Sequence, residues 1–255
     1  MPLPFQKGFI RLEGGSLGET TFMKKNGQYR AKEKIITASK HTWKYDARFE
    51  GQRNIASEFS TIVAAAKIIR SVVRSLIIRR YPTTSNRLRK LMAGIVAMDN
   101  VSVHGKRAVH PANLLTVSGF NFNSAASLRS VFNTPYSTSL DRATGKALIS
   151  IPPCIPSERI IAPKGTTHFK LVAAASAIDF ANDKEKGETF STGKLPWDDE
   201  MAPAINMQLS IPSNSTLPVF LYLGIMFTQE IGPVSYAIAD GKKDALCIID
   251  VHVPQ

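Results

Sequence analysis

Val219, Phe220, Leu221, Tyr222, Leu223, Gly224, Ile225, Met226 and Phe227 follow one another without a single charge. Successive side chains of a strand point to opposite faces, so a strand over these residues is apolar on both. Each large side chain withdrawn from water is worth about 1.5–3 kcal/mol. The run is therefore expected to be central in its sheet or covered by a second subunit. Segments 114–122, 147–151, 168–180, 219–230, 234–239 and 245–253 read as strands. Turn clusters such as Thr144, Gly145 and Lys146 separate them. Twelve of the 15 prolines lie between Pro111 and Pro254, as expected of loops between strands. This punctuation predicts an antiparallel β-sandwich over residues 111–255.

The preceding part differs. Gly14 to Gly18 reads as a turn, and residues 20–24 as a strand. Asn26 and Gly27 then give the strongest short hairpin signal, because a type I′ turn needs positive φ at both central residues. Residues 28–34 return with period 2, so the hairpin is expected within 9–34. A helix is expected from Ser57, with Phe59, Ile62, Ala66, Ile69, Val73, Leu76 and Ile77 on one face. Pro82 is expected to stop it. A second helix, capped by Thr84 or Ser85, would turn Leu88, Leu91, Met92, Ile95 and Met98 inward. The two read as an antiparallel helical hairpin. The fold class is α+β, with a basic β-hairpin and helical hairpin over residues 1–110 and the sandwich after it.

Charge follows the same division. Lys and Arg total 32 against 20 Asp and Glu over 255 residues. Residues 1–110 hold 21 cations and 7 carboxylates, whereas residues 111–255 hold 11 and 13. Such asymmetry points to an acidic partner: nucleic acid, a membrane surface or the protein's own acidic half. Lys67, Arg70 and Arg74 line up at helical spacing. With Arg87 and Lys90 they are expected to form a solvent-facing cationic cluster. Lys40, Trp43, Lys44, Tyr45, Arg48, Phe49 and Arg53 interleave bases with aromatics, as on a stacking platform for single-stranded nucleic acid. The alternative is that these aromatics anchor a loop onto the body.

Several chemistries lack support. Residues 62–78, the longest apolar stretch, are interrupted by Lys67, Arg70 and Arg74, which argues against a membrane span. No apolar stretch follows the first residues, so no secretory signal is expected. Cys154 and Cys247 lie in apolar surroundings and read as buried thiols. These features suit a cytoplasmic location. The glycines at 14–18 precede a strand, whereas a phosphate-binding loop must open a helix. His41, His104, His110, His168 and His252 form no metal-ligand pattern, and no serine occupies a nucleophile elbow. Asp183, Glu185 and Glu188 precede the acidic run Asp198, Asp199 and Glu200. These carboxylates suggest a solvated loop, a hard-cation site or a dock for a neighbouring copy's basic helices. No catalytic residue, cofactor, metal or small-molecule substrate is expected.

Gly15 to Gly18 with Thr21 and Phe22, Asn26 and Gly27 with Tyr29, and Asp46 to Phe49 form part of a longer ordered pattern. It continues through Arg53 and Asn54, Ser57 to Phe59, Gly119 to Asn123, Thr166 to Lys170, and Leu195 to Trp197. Together these stretches resemble a Bacteroidota protein family of unknown function. The sequence departs from that pattern at Glu50, Gly51 and Gln52, where the family tends to carry further Arg and Thr. The resemblance implies that both parts belong to one recurring unit, and it implies no activity or binding residues. The reading is a non-enzymatic structural or assembly protein that self-associates through its β-rich part and offers a basic helical face to an acidic partner. The alternative is a protein that binds RNA or DNA, including a ribosome-associated factor.

Overall fold

The computed structural model describes residues 15–33, 38–76, 81 and 83–254, apart from the side chains of 239 and 240. Contacts divide the chain into Met1–Glu50 and Gly51–Gln255. In the first unit, β1 (Gly15–Leu17), β2 (Thr20–Lys25) and β3 (Gln28–Glu33) form an antiparallel sheet in that order. Lys25 pairs with Gln28, leaving Asn26 and Gly27 as a two-residue turn with φ of 52° and 78°. Both residues occupy the left-handed region that a type I′ turn demands. Residues 15–17, expected within a turn, instead add a third strand by pairing with residues 20–22. Of the expected hairpin, residues 9–14 and 34 lie outside the described residues.

Helix α1 (Lys40–Tyr45) follows. Ser39 Oγ accepts the Thr42 N–H at 3.0 Å and so caps it. Asp46 performs the same task for the 3-10 turn Ala47–Phe49 and also grips the Arg48 guanidinium at 2.7 Å. No described side chain of this unit is buried. Its local shape rests on turn chemistry, caps and cross-strand pairs.

The second unit is built in layers. Helix α2 (Glu50–Val72) and helix α3 (Thr84–Ala97) supply Ile62, Ile69, Val72, Leu88, Met92 and Ile95 to one core. Helix α2 begins seven residues before the Ser57 expected to cap it, because no residue between 50 and 57 forbids helix. The part of it before Ile62 runs beyond the core, leaving Ile55 and Phe59 exposed. It ends at Val72, and Ile77 and Pro82, expected on its apolar face and as its stop signal, lie outside the described residues. Met98, expected inward, is half exposed because α3 has already ended.

The β-rich part contains β4 (Ser137–Asp141), β5 (Lys146–Ile151), β6 (His168–Asp179), β7 (Lys184–Ser191), β8 (Leu195–Pro196), β9 (Ile205–Ser210), β10 (Val219–Ile231), β11 (Val234–Ala237) and β12 (Ala245–His252). One sheet runs β11-β10-β6-β7, with β12 also beside β10 and β8 beside β6. The other runs β4-β5-β9, and every pairing is antiparallel. Alternate residues of β6 and β10 go to opposite cores. Val172, Ala174, Phe220 and Tyr222 meet the helices, whereas Leu171, Ala173, Leu221 and Leu223 meet Ile149, Met207 and Leu209 of the smaller sheet. The apolar run is therefore central in its sheet and covered on both faces within the subunit.

Two expectations need correcting. Residues 114–122 are not a strand. They begin within the 3-10 turn Pro111–Val117, and their later part runs beside β12 as an irregular segment, with an isolated bridge between Asn121 and Cys247 and the Gly119 and Phe122 N–H groups donating to the Ile248 and Leu246 carbonyls at 2.7 and 2.8 Å. Their apolar side chains, Leu114, Val117 and Phe122, are buried nonetheless, so apolarity reported burial rather than backbone state. Contacts do not divide at the expected residue 110, because α2 and α3 share a core with β6, β10 and β12. The α+β class with antiparallel sheets holds.

Candidate polyanion interface

Glu58 and Asp99 are the only carboxylates in residues 51–110. The folded chain turns both inward. The Asp99 side chain has no exposed surface. Its Oδ1 accepts the N–H groups of Val101 and Ser102 at 3.0 and 2.9 Å, and its Oδ2 accepts that of Ala108 at 3.1 Å. His110 Nε2 lies 3.1 Å from Oδ2. Hydrogen bonds from Ser102, then Ala108 and Val101, hold this carboxyl well below the usual carboxylate range.

Glu58 plays the matching part from α2. Its Oε1 accepts the Gly105 N–H at 2.7 Å, with Arg107 Nε and His104 Nε2 each at 3.9 Å from the carboxylate. Gly105 has a φ of 91°, and a Cβ there would fall 2.5 Å from Asn54 Oδ1. Only glycine fits, on both counts. The loop after α3 is therefore folded around two carboxylates that its own N–H groups consume.

What remains outward on this segment is cationic. Lys67, Arg70, Arg74, Lys90 and Lys106 are exposed. The Arg70 guanidinium donates to Ser85 Oγ and so joins the cations of α2 to the start of α3. Arg74 stands in an open cleft of about 540 Å³ with Ser71, Ser75, Glu185 and Glu188, so this cation faces the two carboxylates of β7. Arg87 departs from the expectation. It is half-buried, its guanidinium lies 5.0 Å over the Phe120 ring, and its Nη1 is enclosed without a hydrogen-bond partner. Phe120 packs against the helical core and draws the long Arg87 side chain down with it. The structure thus leaves four of the five expected cations outward and adds Lys106. Residues 54, 58, 99 and 105 carry no local sequence signal for their joint role, since the partners stand as many as 51 positions apart.

Lys40, Trp43 and Lys44 all lie on α1. Trp43 and Tyr45 are 40% and 64% exposed. Lys44 Nζ stands 5.2 Å over the Tyr45 ring, and His41 approaches that ring at 4.8 Å. On the sheet, Lys24 Nζ lies 5.3 Å over the Tyr29 ring, a base-aromatic pair that interleaving alone did not single out. Phe49 is half-buried.

The acidic run is shaped by its own hydrogen bonds. Asp199 accepts the Ser157 hydroxyl at 2.5 Å, and Glu188 accepts the Ser210 N–H at 2.8 Å. Among the described residues no group of three or more His, Cys, Asp or Glu gathers as a metal site, and no helix is long and apolar enough to cross a membrane. Cys154 and Cys247 are free thiols, and burial pushes Cys247 up to about 11. Comparison of the chain with family models, characterised proteins and solved structures returned no match.

Proposed function

We propose that this is a non-catalytic nucleic-acid-binding protein, with the cations of α2, α3 and the following loop as its phosphate-contacting face. The observation that carries this reading is the inward sequestration of Glu58 and Asp99. It leaves Lys67, Arg70, Lys90 and Lys106 without a competing exposed carboxylate on their own segment. The exposed Trp43 and Tyr45 beside Lys40 and Lys44 favour single strands, whose unpaired bases stack on aromatic rings. Binding to a fluorescent oligouridine, followed by anisotropy, tests the reading. Affinity is expected to fall with salt, with a log–log slope of about −0.7 for each phosphate neutralised. Lys67→Glu, Arg70→Glu and Lys90→Glu together should weaken binding and flatten that slope. Trp43→Ala should weaken it with little change of slope. Absence of binding at low salt would sink the proposal.

A second reading, self-association as a structural protein, draws on a different observation. Two flanks of the sheets are bridged by side chains, Glu188 to Ser210 and Thr138 to Asp250. Strand β11, by contrast, is exposed throughout, with Val234 and Tyr236 outward and Ile231 beside them. Exposed edges recruit further strands. Light scattering on a sizing column, with and without nuclease, separates the readings. A nuclease-resistant oligomer supports assembly, and a species that becomes monomeric after nuclease supports nucleic-acid binding. If assembly instead uses the acidic loop, Asp198→Lys with Asp199→Lys should restore what Arg70→Glu with Arg74→Glu removes.

A further inference from the structure

A second cleft, of about 670 Å³, opens between the segment after the 3-10 turn Pro111–Val117, the short helix α4 (Leu128–Val131) and β12. Its volume is within the range of small-molecule sites. Leu128, Phe132, Ile249 and Cys247 give it an apolar floor, and Tyr136 stands on its wall. Among the described residues Arg129 is the one basic side chain that lines the cleft, and no carboxylate lines it. Its guanidinium has no ion pair or hydrogen bond among the described residues. Asp250 lies near Tyr136 but is engaged by the Thr138 hydroxyl at 2.6 Å and by His252 at 3.2 Å. The site thus couples an unpaired cation to an open cleft with an apolar floor.

We propose that this cleft binds a small organic anion, its acidic head on Arg129 and its apolar or aromatic body over Phe132 and Tyr136. A guanidinium fork matches a carboxylate or a phosphate, and the floor rewards an apolar body rather than an inorganic ion. Burial of Cys247 beneath the cleft floor raises its thiol to about 11 and keeps this cysteine protonated and unreactive at neutral pH. The cleft is separate from the proposed nucleic-acid face, since it is lined by none of the cations assigned to that face.

The probe is 8-anilinonaphthalene-1-sulfonate, a monoanion with an aromatic body. It should bind the full chain at one saturable site, and Arg129→Gln should weaken that site about tenfold or more, the effect of losing one charge-assisted hydrogen bond. Arg129 is exposed and holds no part of the fold together, so the variant is expected to keep the parent melting temperature. A second measurement removes ambiguity from dye bound elsewhere on the surface. Tyr136→Ala, which removes the exposed ring from the cleft wall, should weaken the same saturable site. Displacement by decanoate marks a carboxylate ligand, and displacement by an aryl phosphate marks a phosphate. Dye binding that is indifferent to Arg129→Gln, or to Tyr136→Ala, overturns the proposal. Oligouridine binding is read separately, so failure here leaves the nucleic-acid reading standing and the converse also holds.

Discussion

Strands β3 and β10 are both regular antiparallel strands, yet all six residues of β3 are exposed whereas the first nine of β10 are buried. Tyr29 and Arg30 of β3 meet solvent on either face, while Phe220 and Leu221 of β10 each meet a separate core. Backbone pairing is therefore not what distinguishes the two regions. In Met1–Glu50 the turn and the cross-strand pairs set the local geometry, and no apolar layer lies beneath the described residues. In Gly51–Gln255 two layers of buried side chains determine which strands pair and which helix faces turn in. Functional candidates divide along the same line. The first unit shows its aromatics, and the second hides the two carboxylates of residues 51–110.

The sharpest way to break this contrast is to open the core of β10. Phe220 is fully buried and packs on Phe180 and Tyr222, with ring centroids 6.1 and 6.4 Å away. Phe220→Ala is expected to cost about 3–5 kcal/mol in chemical denaturation. A cost below about 1 kcal/mol would mean that the helical core does not rest on β10.

Asp244 gives the next effect and assigns it a sign. Its Oδ1 accepts the Phe227 N–H at 3.0 Å. Burial nevertheless raises its pKa to about 6. The folded state therefore prefers the protonated form. That contribution is fully present below the unfolded pKa of about 4 and is lost as pH climbs through 6. Asp244→Asn mimics the protonated group. It should match the parent at pH 4 and exceed it in stability at pH 8, by at most about 3 kcal/mol and less to the extent that water reaches the carboxyl. Urea denaturation at the two pH values checks this, and a variant weaker at pH 8 contradicts it.

Tyr222 supplies a smaller gain. Its hydroxyl is buried with no partner among the described residues, and desolvation drives its pKa well above the ordinary value. Tyr222→Phe removes an unsatisfied group and keeps the ring, so it should be neutral or stabilising by about 1 kcal/mol. A clear loss of stability would reveal a partner for that hydroxyl.

The smallest global effect belongs to the exposed sheet. Gly27→Val puts a β-branched residue at a φ of 78° and should disrupt the turn. Because no described side chain of the unit is buried against that turn, the main unfolding transition should stay within about 0.5 kcal/mol of the parent. Loss of hairpin amide signals in NMR at unchanged melting temperature is the expected pair of observations.

Some of this was legible from residue pattern. The Asn26–Gly27 turn, the run at 219–227 and the apolar stripe at Ile62, Ala66, Ile69 and Val73 each carry a local signal. Strands β4, β7 and β9 were not recognised. Strand β7 is almost wholly exposed and therefore shows no apolar period, whereas Met207 and Leu209 of β9 do alternate inward and could have revealed it. Among the candidate site residues, helical spacing correctly set Lys67, Arg70, Arg74 and Lys90 outward. It misjudged Arg87 because Phe120, the ring that holds it, lies 33 positions further along.

Residue order by itself determined the two-residue turn, the basic excess of residues 1–110 and the need to cover an apolar strand on both faces. These follow from backbone sterics, charge and the period of a strand, all of which act over a few neighbouring residues. Only the tertiary structure decided that helices and a second sheet within one subunit supply that cover, rather than another copy. It also decided that Glu58 and Asp99 vanish beneath their own loop, and that Arg129 is left unpaired above an apolar cleft. Those outcomes depend on groups distant in sequence competing for the same N–H donors, aromatic faces and buried volume, and no local pattern records who wins.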